Sequence, residues 1–305
     1  MRFFRLVILA CAVAGTIVAC GSGESNVESG NRLGYLHYGN GAEPQGLDPH
    51  VVTGVPENHI VRALFEGLAV KNPKTLEPEP GVAERWDISD DGTVYTFHLN
   101  PQARWSNGET MTASDYVWSW HRALHPDTGS LYAYMLYPVV NAEAYSKREI
   151  TDFDAVGVKA LDDQTLQVTL NAPTPYFLQL MDHYSTFAVH PETVLTHGKM
   201  TDRFTPWTRV GSIVSNGPFT LEEWSLNRRI IIKKSEHYWP FAGHPETVLT
   251  HGKMTDRFTP WTRVGSIVSN GPFTLEEWSL NRRIIIKKSE HYWDRENVSL
   301  NGVYF

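Results

Sequence analysis

His190, Glu192 and His197 are the residues whose types and spacing come nearest to metal chemistry in this 305-residue chain. His190-Pro191-Glu192 fits the HxE half of a zinc-deaminase signature, where the glutamate serves as acid and base beside a metal-bound water. The PCxxC half cannot exist, because the only cysteines, Cys11 and Cys20, stand at the N-terminus. Nor are His190 and His197 one helical turn apart, the spacing that offers two imidazoles to one ion. Structural or surface histidines are the better reading, and no metal site is assigned. Phosphate-cradling GxxxxGK[ST], GxGxxG after a strand, GxSxG and HExxH are all absent, so no cofactor is implied. Carboxylates are plentiful, yet none are paired by spacing for acid–base work. These absences favour a protein that binds rather than an enzyme.

Cys20 carries chemistry of another kind. Arg2 and Arg5 precede an apolar stretch, Leu6–Val18, that ends in small residues, the build of an export signal. The run Ile17-Val18-Ala19-Cys20-Gly21-Ser22-Gly23 resembles a bacterial lipobox. That resemblance implies cleavage before Cys20, acylation of its thiol and a membrane anchor. A plain secretory signal with an incidental Cys20 is the simpler alternative. On the lipobox reading residues 1–19 are the signal peptide and residues 20–31 a Gly/Ser-containing flexible tether. No cysteine pair remains beyond it, so the fold must rest on its core. Without Arg2 and Arg5 the 27 basic residues become 25 against 34 acids, a net charge of −9. That balance argues against a nucleic-acid partner, which needs a basic face. No later window is apolar for the length needed to span a bilayer.

The elements that must position any site are complicated by a repeat. His190–Trp239 recurs letter for letter as His244–Trp293, 54 positions on. Structural repeats preserve apolar positions and drift elsewhere, whereas here even HGKMTDRFTPWTR agrees. A recent tandem duplication, or an error in gene assembly, explains this best. One copy should pack natively and the other be surplus, and the letters cannot say which.

Arg32–Tyr38 alternates like a strand, and Asn58–Leu68 has helical spacing at Ile60, Val61, Leu64, Phe65 and Leu68. Ala83–Ile88 and Thr93–Asn100 flank Asp90-Asp91-Gly92, a hairpin turn. Thr112-Ala113-Ser114-Asp115 is a capping box opening a helix that runs to Leu124, before Pro126. Val156–Ala160 and Thr165–Leu170 form a second hairpin, Tyr176–Asp182 a further helix, and each repeat contributes strands of the type Thr220–Trp224 and Arg228–Lys234. Without regular βαβ alternation, the class is α+β, or mixed α/β.

Several segments, in order, carry a family resemblance. They are Gly46-Leu47-Asp48-Pro49-His50, Gly54-Val55-Pro56-Glu57-Asn58, Leu64-Phe65-Glu66-Gly67-Leu68, Pro80-Gly81-Val82-Ala83-Glu84-Arg85-Trp86 and Trp105-Ser106-Asn107-Gly108. Thr112–Val117, Gly157–Asp163 and Ser215-Asn216-Gly217-Pro218-Phe219 follow. Together they resemble the family-5 solute-binding proteins of bacterial ABC importers, in particular the oligopeptide-binding proteins. The resemblance implies a periplasmic-binding-protein type II-like fold, two-lobed when intact, of which this chain would hold somewhat under half, with the second lobe missing. By analogy residues 32–65 and 190–305 belong to lobe I and residues 66–189 to a side domain. It implies a monomer that captures oligopeptides outside the cytoplasmic membrane and delivers them to a membrane permease, with no bond made or broken. Dipeptides, murein peptides or a nickel complex are alternative cargoes within the family, and an exported cell-wall peptide hydrolase is the alternative from another class.

The resemblance also names ligand-binding residues. Thr53, Gly54 and Val55 match the stretch that offers backbone groups to the ligand, although an ordinary turn before the Pro56-initiated helix fits these letters equally. The family commonly has an acid where Thr53 stands. Tyr132 and His183 match residues facing the ligand cleft; a half-buried core tyrosine and a structural histidine are the plainer alternatives.

Overall fold

The computed structural model describes residues 33, 36–203 and 205–238, together with the backbone of three strands at 273–279, 283–288 and 302–304. The signal, the tether and Cys20 lie outside the described residues. Two compact units are present, one spanning Asn40–Gly243 and the other Met1–Gly39 with His244–Phe305.

Within Asn40–Gly243, helix α1 (Val55–Leu64) is followed by a small ribbon of β1 (Ala69–Lys71) and β2 (Pro78–Pro80). Four antiparallel strands then make the main sheet: β3 (Ala83–Ile88), β4 (Val94–Leu99), β5 (Val158–Asp162) and β6 (Thr165–Thr169), in the order β3-β4-β6-β5. Period-2 alternation orients the sheet, since Tyr95, Phe97 and Leu99 of β4 and Leu166 and Val168 of β6 all point to the core. Helix α2 (Ala113–Leu124) covers that face with Ala113, Tyr116, Trp120, Ala123 and Leu124. Its start is fixed as its letters demand: Thr112 and Asp115 form the reciprocal capping box, with the Thr112 amide donating to Asp115 Oδ2 at 2.8 Å. Short helices α3 (Ala142–Ser146) and α4 (Phe177–Leu180) close the rim.

A second core lies beside the first. Leu47, Ile60, Val61, Leu64 and Phe65 pack with Tyr184, Phe187, Val189, Val194, Trp207 and Leu221. Helix α5 (Pro191–His197) and the hairpin β7 (Phe219–Ser225) with β8 (Arg229–Lys234) complete it. The Ser-Asn-Gly-Pro-Phe segment joins these parts. Asn216 exchanges side-chain hydrogen bonds with both the amide and the carbonyl of Glu66, at 3.1 and 3.0 Å. Gly217 donates its amide to Leu64 O at 2.7 Å, so close that a Cβ would lie 2.6 Å from the Leu64 carbonyl carbon. Tyr238 donates to Glu66 Oε2 at 2.7 Å, and Trp224 to Glu43 at 2.6 Å.

The first copy of the repeat therefore packs against this second core. In the second copy, β9 (Phe273–Ser279) and β10 (Arg283–Lys288) form a hairpin in the other unit, which β11 (Gly302–Tyr304) extends to three strands, Ile286 facing Val303.

Two local expectations shift. The helix anticipated at Asn58–Leu68 runs Val55–Leu64, because Pro56 suits its first turn and Phe65 turns extended. In the described part of Arg32–Tyr38, residues 36–38 form no strand. No described helix is long and apolar enough to cross a membrane.

Candidate ligand-binding site

All five residues named for ligand contact meet at one place, the chain segment entering α1. Val52 is buried, Thr53 exposed, and Gly54 caps the helix in an extended conformation. Two tyrosines hold this segment by its carbonyls. Tyr184 Oη donates to Val52 O at 3.1 Å, and Tyr132 Oη donates to Thr53 O at 3.4 Å. The rings form one assembly: Tyr132 meets His183 edge-on at 4.9 Å and Tyr184 edge-on at 5.8 Å, and His183 stacks on Tyr184 at 4.5 Å. Tyr134 leans on Tyr132 at 5.9 Å and is half exposed. Val55 is 67% exposed at the first helical position, an apolar side chain left in water.

His183 has a defined tautomer. The Ser185 amide, which can only donate, points at its Nδ1 at 3.3 Å, and Ser185 Oγ lies 2.8 Å away. Nδ1 therefore accepts and the neutral ring carries its proton on Nε2. Burial, reinforced by the positive charge of Arg62 and opposed by Asp182, pushes the imidazole below its usual pKa and keeps it neutral. Burial, with Tyr132 adding to it, holds the Tyr184 phenol protonated far into alkali. The ring assembly is thus uncharged and amphipathic, an imidazole N–H, phenol groups and aromatic faces beside a strand-like backbone, with the Glu57 carboxyl over Gly54. Among the described residues the amides of Thr53 and Gly54 donate to no protein acceptor. Such a surface can pair with the main chain of an extended guest and lay its side chains on rings.

The segment is braced from beneath by a buried ion pair. Asp48 accepts from Arg122 at 2.9 and 2.6 Å, and Arg122 also reaches His50 Nδ1 at 2.9 Å and Met200 O at 2.8 Å. The Asp48 carbonyl accepts the Val51 and Val52 amides, so the turn leading into the loop is fixed to α2. Burial raises the Asp48 pKa, but Arg122 and His50 outweigh it and the net shift is downward. Burial and Arg122 together depress His50 to about 4. Tyr184, Tyr134 and this ion pair escaped the reading of the letters. Asp48 and His50 stand in the first segment of the resemblance, and Arg122 is a charge on the apolar side of α2, but nothing in the letters pairs them.

His190 lies elsewhere, and both its ring nitrogens are engaged. Nδ1 accepts the Thr193 amide at 3.2 Å as the cap of α5, and Nε2 lies 2.7 Å from Glu109. His197 turns Nδ1 toward its own helix, 2.8 Å from Thr193 O. His190, Glu192 and His197 line a polar cleft of about 320 Å³ whose walls include none of the rings of the aromatic assembly.

Residues 77–253 match the family described as bacterial extracellular solute-binding proteins, family 5 Middle. The chain is 42% identical over 236 residues to the periplasmic oligopeptide-binding protein OppA of Escherichia coli K12, covering 76% of this chain and 41% of that one. It is 36% identical over 241 residues to the oligopeptide-binding protein OppA of Bacillus subtilis 168, covering 78% and 42%. The E. coli murein tripeptide binding protein MppA has a similar structure, with TM-score 0.60, 37% identity and coverage of 65% and 37%. Haemophilus influenzae OppA, solved in complex with the peptide RPPGFSPFR, gives TM-score 0.61, 35% identity and coverage of 66% and 38%. The chain spans about two fifths of the length of the curated relatives it matches, and those relatives are binding proteins. On the extent of the family match, this chain belongs to the bacterial extracellular solute-binding proteins of family 5.

Proposed function

We propose that this chain is the peptide-facing part of an ABC-importer binding protein that captures oligopeptides outside the cytoplasmic membrane and passes them to a permease. The observation that carries this reading is the Val52–Val55 segment, with two carbonyls held by tyrosines, two amides left open and an uncharged aromatic assembly alongside. Backbone pairing of this kind recognises peptides with little regard to sequence. The Ser185 hydroxyl beside His183 Nδ1 is buried away from any guest, which fits capture without bond cleavage. We assign the second core to the body of lobe I and the sheet-and-α2 core to its side domain, and we take the working form to be a monomer.

A single exposed segment beside a few rings buries little of a peptide, so affinity should be in the millimolar range. Titration of the ¹⁵N-labelled chain with a tripeptide should shift the Thr53, Gly54, Tyr132 and His183 amides and leave the peptide intact by mass spectrometry. Shifts confined to other regions, or hydrolysed peptide, would refute the assignment.

We also propose that Cys20 is acylated and anchors the exported protein. The support is its place after Ile17-Val18-Ala19 and before a small, polar stretch. Labelling bacteria that express the chain with an alkyne fatty acid should tag it, and Cys20→Ser should abolish the tag. Absence of a tag on the parent would leave the plain secretory signal, and equal tagging of the Ser variant would place the acyl group away from Cys20.

A further inference from the structure

Gly54 has φ −87° and ψ 157°, a conformation open to any L residue, so its backbone does not call for glycine. A neighbour does. A Cβ built at Gly54 would overlap Oε2 of Glu57 outright and lie 2.8 Å from its Cδ. Glu57 is only 4% exposed, stands at the third position of α1, and accepts the Gln45 amide on Oε1 at 2.7 Å. Its carboxyl is folded back across the start of its own helix and locked to a segment well upstream.

We propose that Glu57 is a positioning residue for the Thr53-Gly54-Val55 loop. By filling the space over the Gly54 Cα and tying it to Gln45, the carboxyl fixes the peptide plane that presents the loop's open amides. Tyr132 and Tyr184 hold the carbonyls of Thr53 and Val52, so two phenols and a carboxyl together fix the loop. On this view Gly54 is glycine to admit Glu57, and close approach of a guest is not what demands it. The ligand half of the statement rests on the peptide-binding reading above; the geometric half does not.

A mutant cycle on the ligand-free, ¹⁵N-labelled chain separates these claims. Gly54→Ala should lower the melting midpoint by about 5 °C and move the Thr53 and Gln45 amide signals. Glu57→Ala should speed exchange of the Gln45 amide by about tenfold. Once Glu57 is alanine, adding Gly54→Ala should cost almost nothing more. Glu57→Gln keeps an acceptor oxygen and should retain Gln45 protection within about threefold. Equal cost of Gly54→Ala in both backgrounds, or unaltered Gln45 exchange in Glu57→Ala, overturns the proposal. With peptide added, the Gly54 shift should vanish in Glu57→Ala and persist in Glu57→Gln; a shift indifferent to Glu57 overturns the ligand half. Absence of any peptide shift in the parent chain, with the ligand-free cycle behaving as expected, overturns the ligand half together with the peptide reading and leaves the geometry standing.

Discussion

Replacing Arg122 with alanine should cost about 3–5 kcal/mol, a fall of roughly 10 °C in melting midpoint. Arg122 is fully buried and its guanidinium serves four acceptors at once: both Asp48 oxygens, His50 Nδ1 and Met200 O. It also lies 5.8 Å from the Trp207 ring centre. Removing it leaves a buried carboxylate with no counter-charge, and that orphaned group, more than the lost attraction, sets the size of the loss. Lysine should rescue little, since a single ammonium cannot reproduce the fork that meets Asp48 at both oxygens. Pairing Arg122→Met with Asp48→Asn removes both charges and should recover at least half the loss. The turn at Asp48–Val52 leads into the Thr53-Gly54-Val55 loop, so the Thr53 and Gly54 amide signals should broaden in the alanine variant. Urea denaturation in which Arg122→Ala unfolds within about 0.5 kcal/mol of the parent would remove this network as the brace of the site.

How much of this could be read from the letters depends on the kind of feature. Hairpins and the α2 cap are local: Gly92, with φ 69°, turns β3 into β4, and Thr112 meets Asp115 three residues on. Such signals lie within a few residues and need no knowledge of the rest. The five residues proposed for ligand contact are named by the family resemblance alone, since nothing in the spacing of Thr53, Tyr132 and His183 joins them. Glu57 sat in plain view at a capping position, but that it needs a glycine at 54 is a statement about three-dimensional space. The repeat shows the limit most directly. Ile230-Ile231-Ile232 and Ile284-Ile285-Ile286 are the same letters, yet β8 pairs with β7 alone among the described strands while β10 also takes β11. Identical segments differ here only in what surrounds them, and no reading of the segment itself could tell them apart.

Two buried groups should give the fold opposite responses to pH that mask each other. Burial raises Glu66 from 4.5 to about 7, opposed only by the hydrogen bond from Tyr238. Burial and then Arg122 depress His50 from 6.5 to about 4. Between pH 4.5 and 7 the folded chain keeps a proton on Glu66 that the unfolded chain has lost, so this contribution is full below pH 4.5 and fades as pH rises. Between pH 4 and 6.5 the unfolded chain takes up a proton on His50 that the fold refuses, so this contribution is full above pH 6.5 and fades as pH falls. At about 1.4 kcal/mol per pH unit each amounts to about 3 kcal/mol, and the two slopes oppose each other over most of their span. Removing one should expose the other. Relative to the parent, Glu66→Gln should gain about 3 kcal/mol as pH rises from 4.5 to 7, whereas His50→Gln should lose a similar amount as pH rises from 4 to 6.5. Differences from the parent cancel the groups common to both, including Asp115, which burial raises, and His183 and His121, which burial lowers. Urea midpoints at half-unit steps from pH 4 to 7.5 provide the test. If the Glu66→Gln curve runs parallel to the parent's, Glu66 is not the buried acid that the Tyr238 contact and the Asn216 clasp enclose.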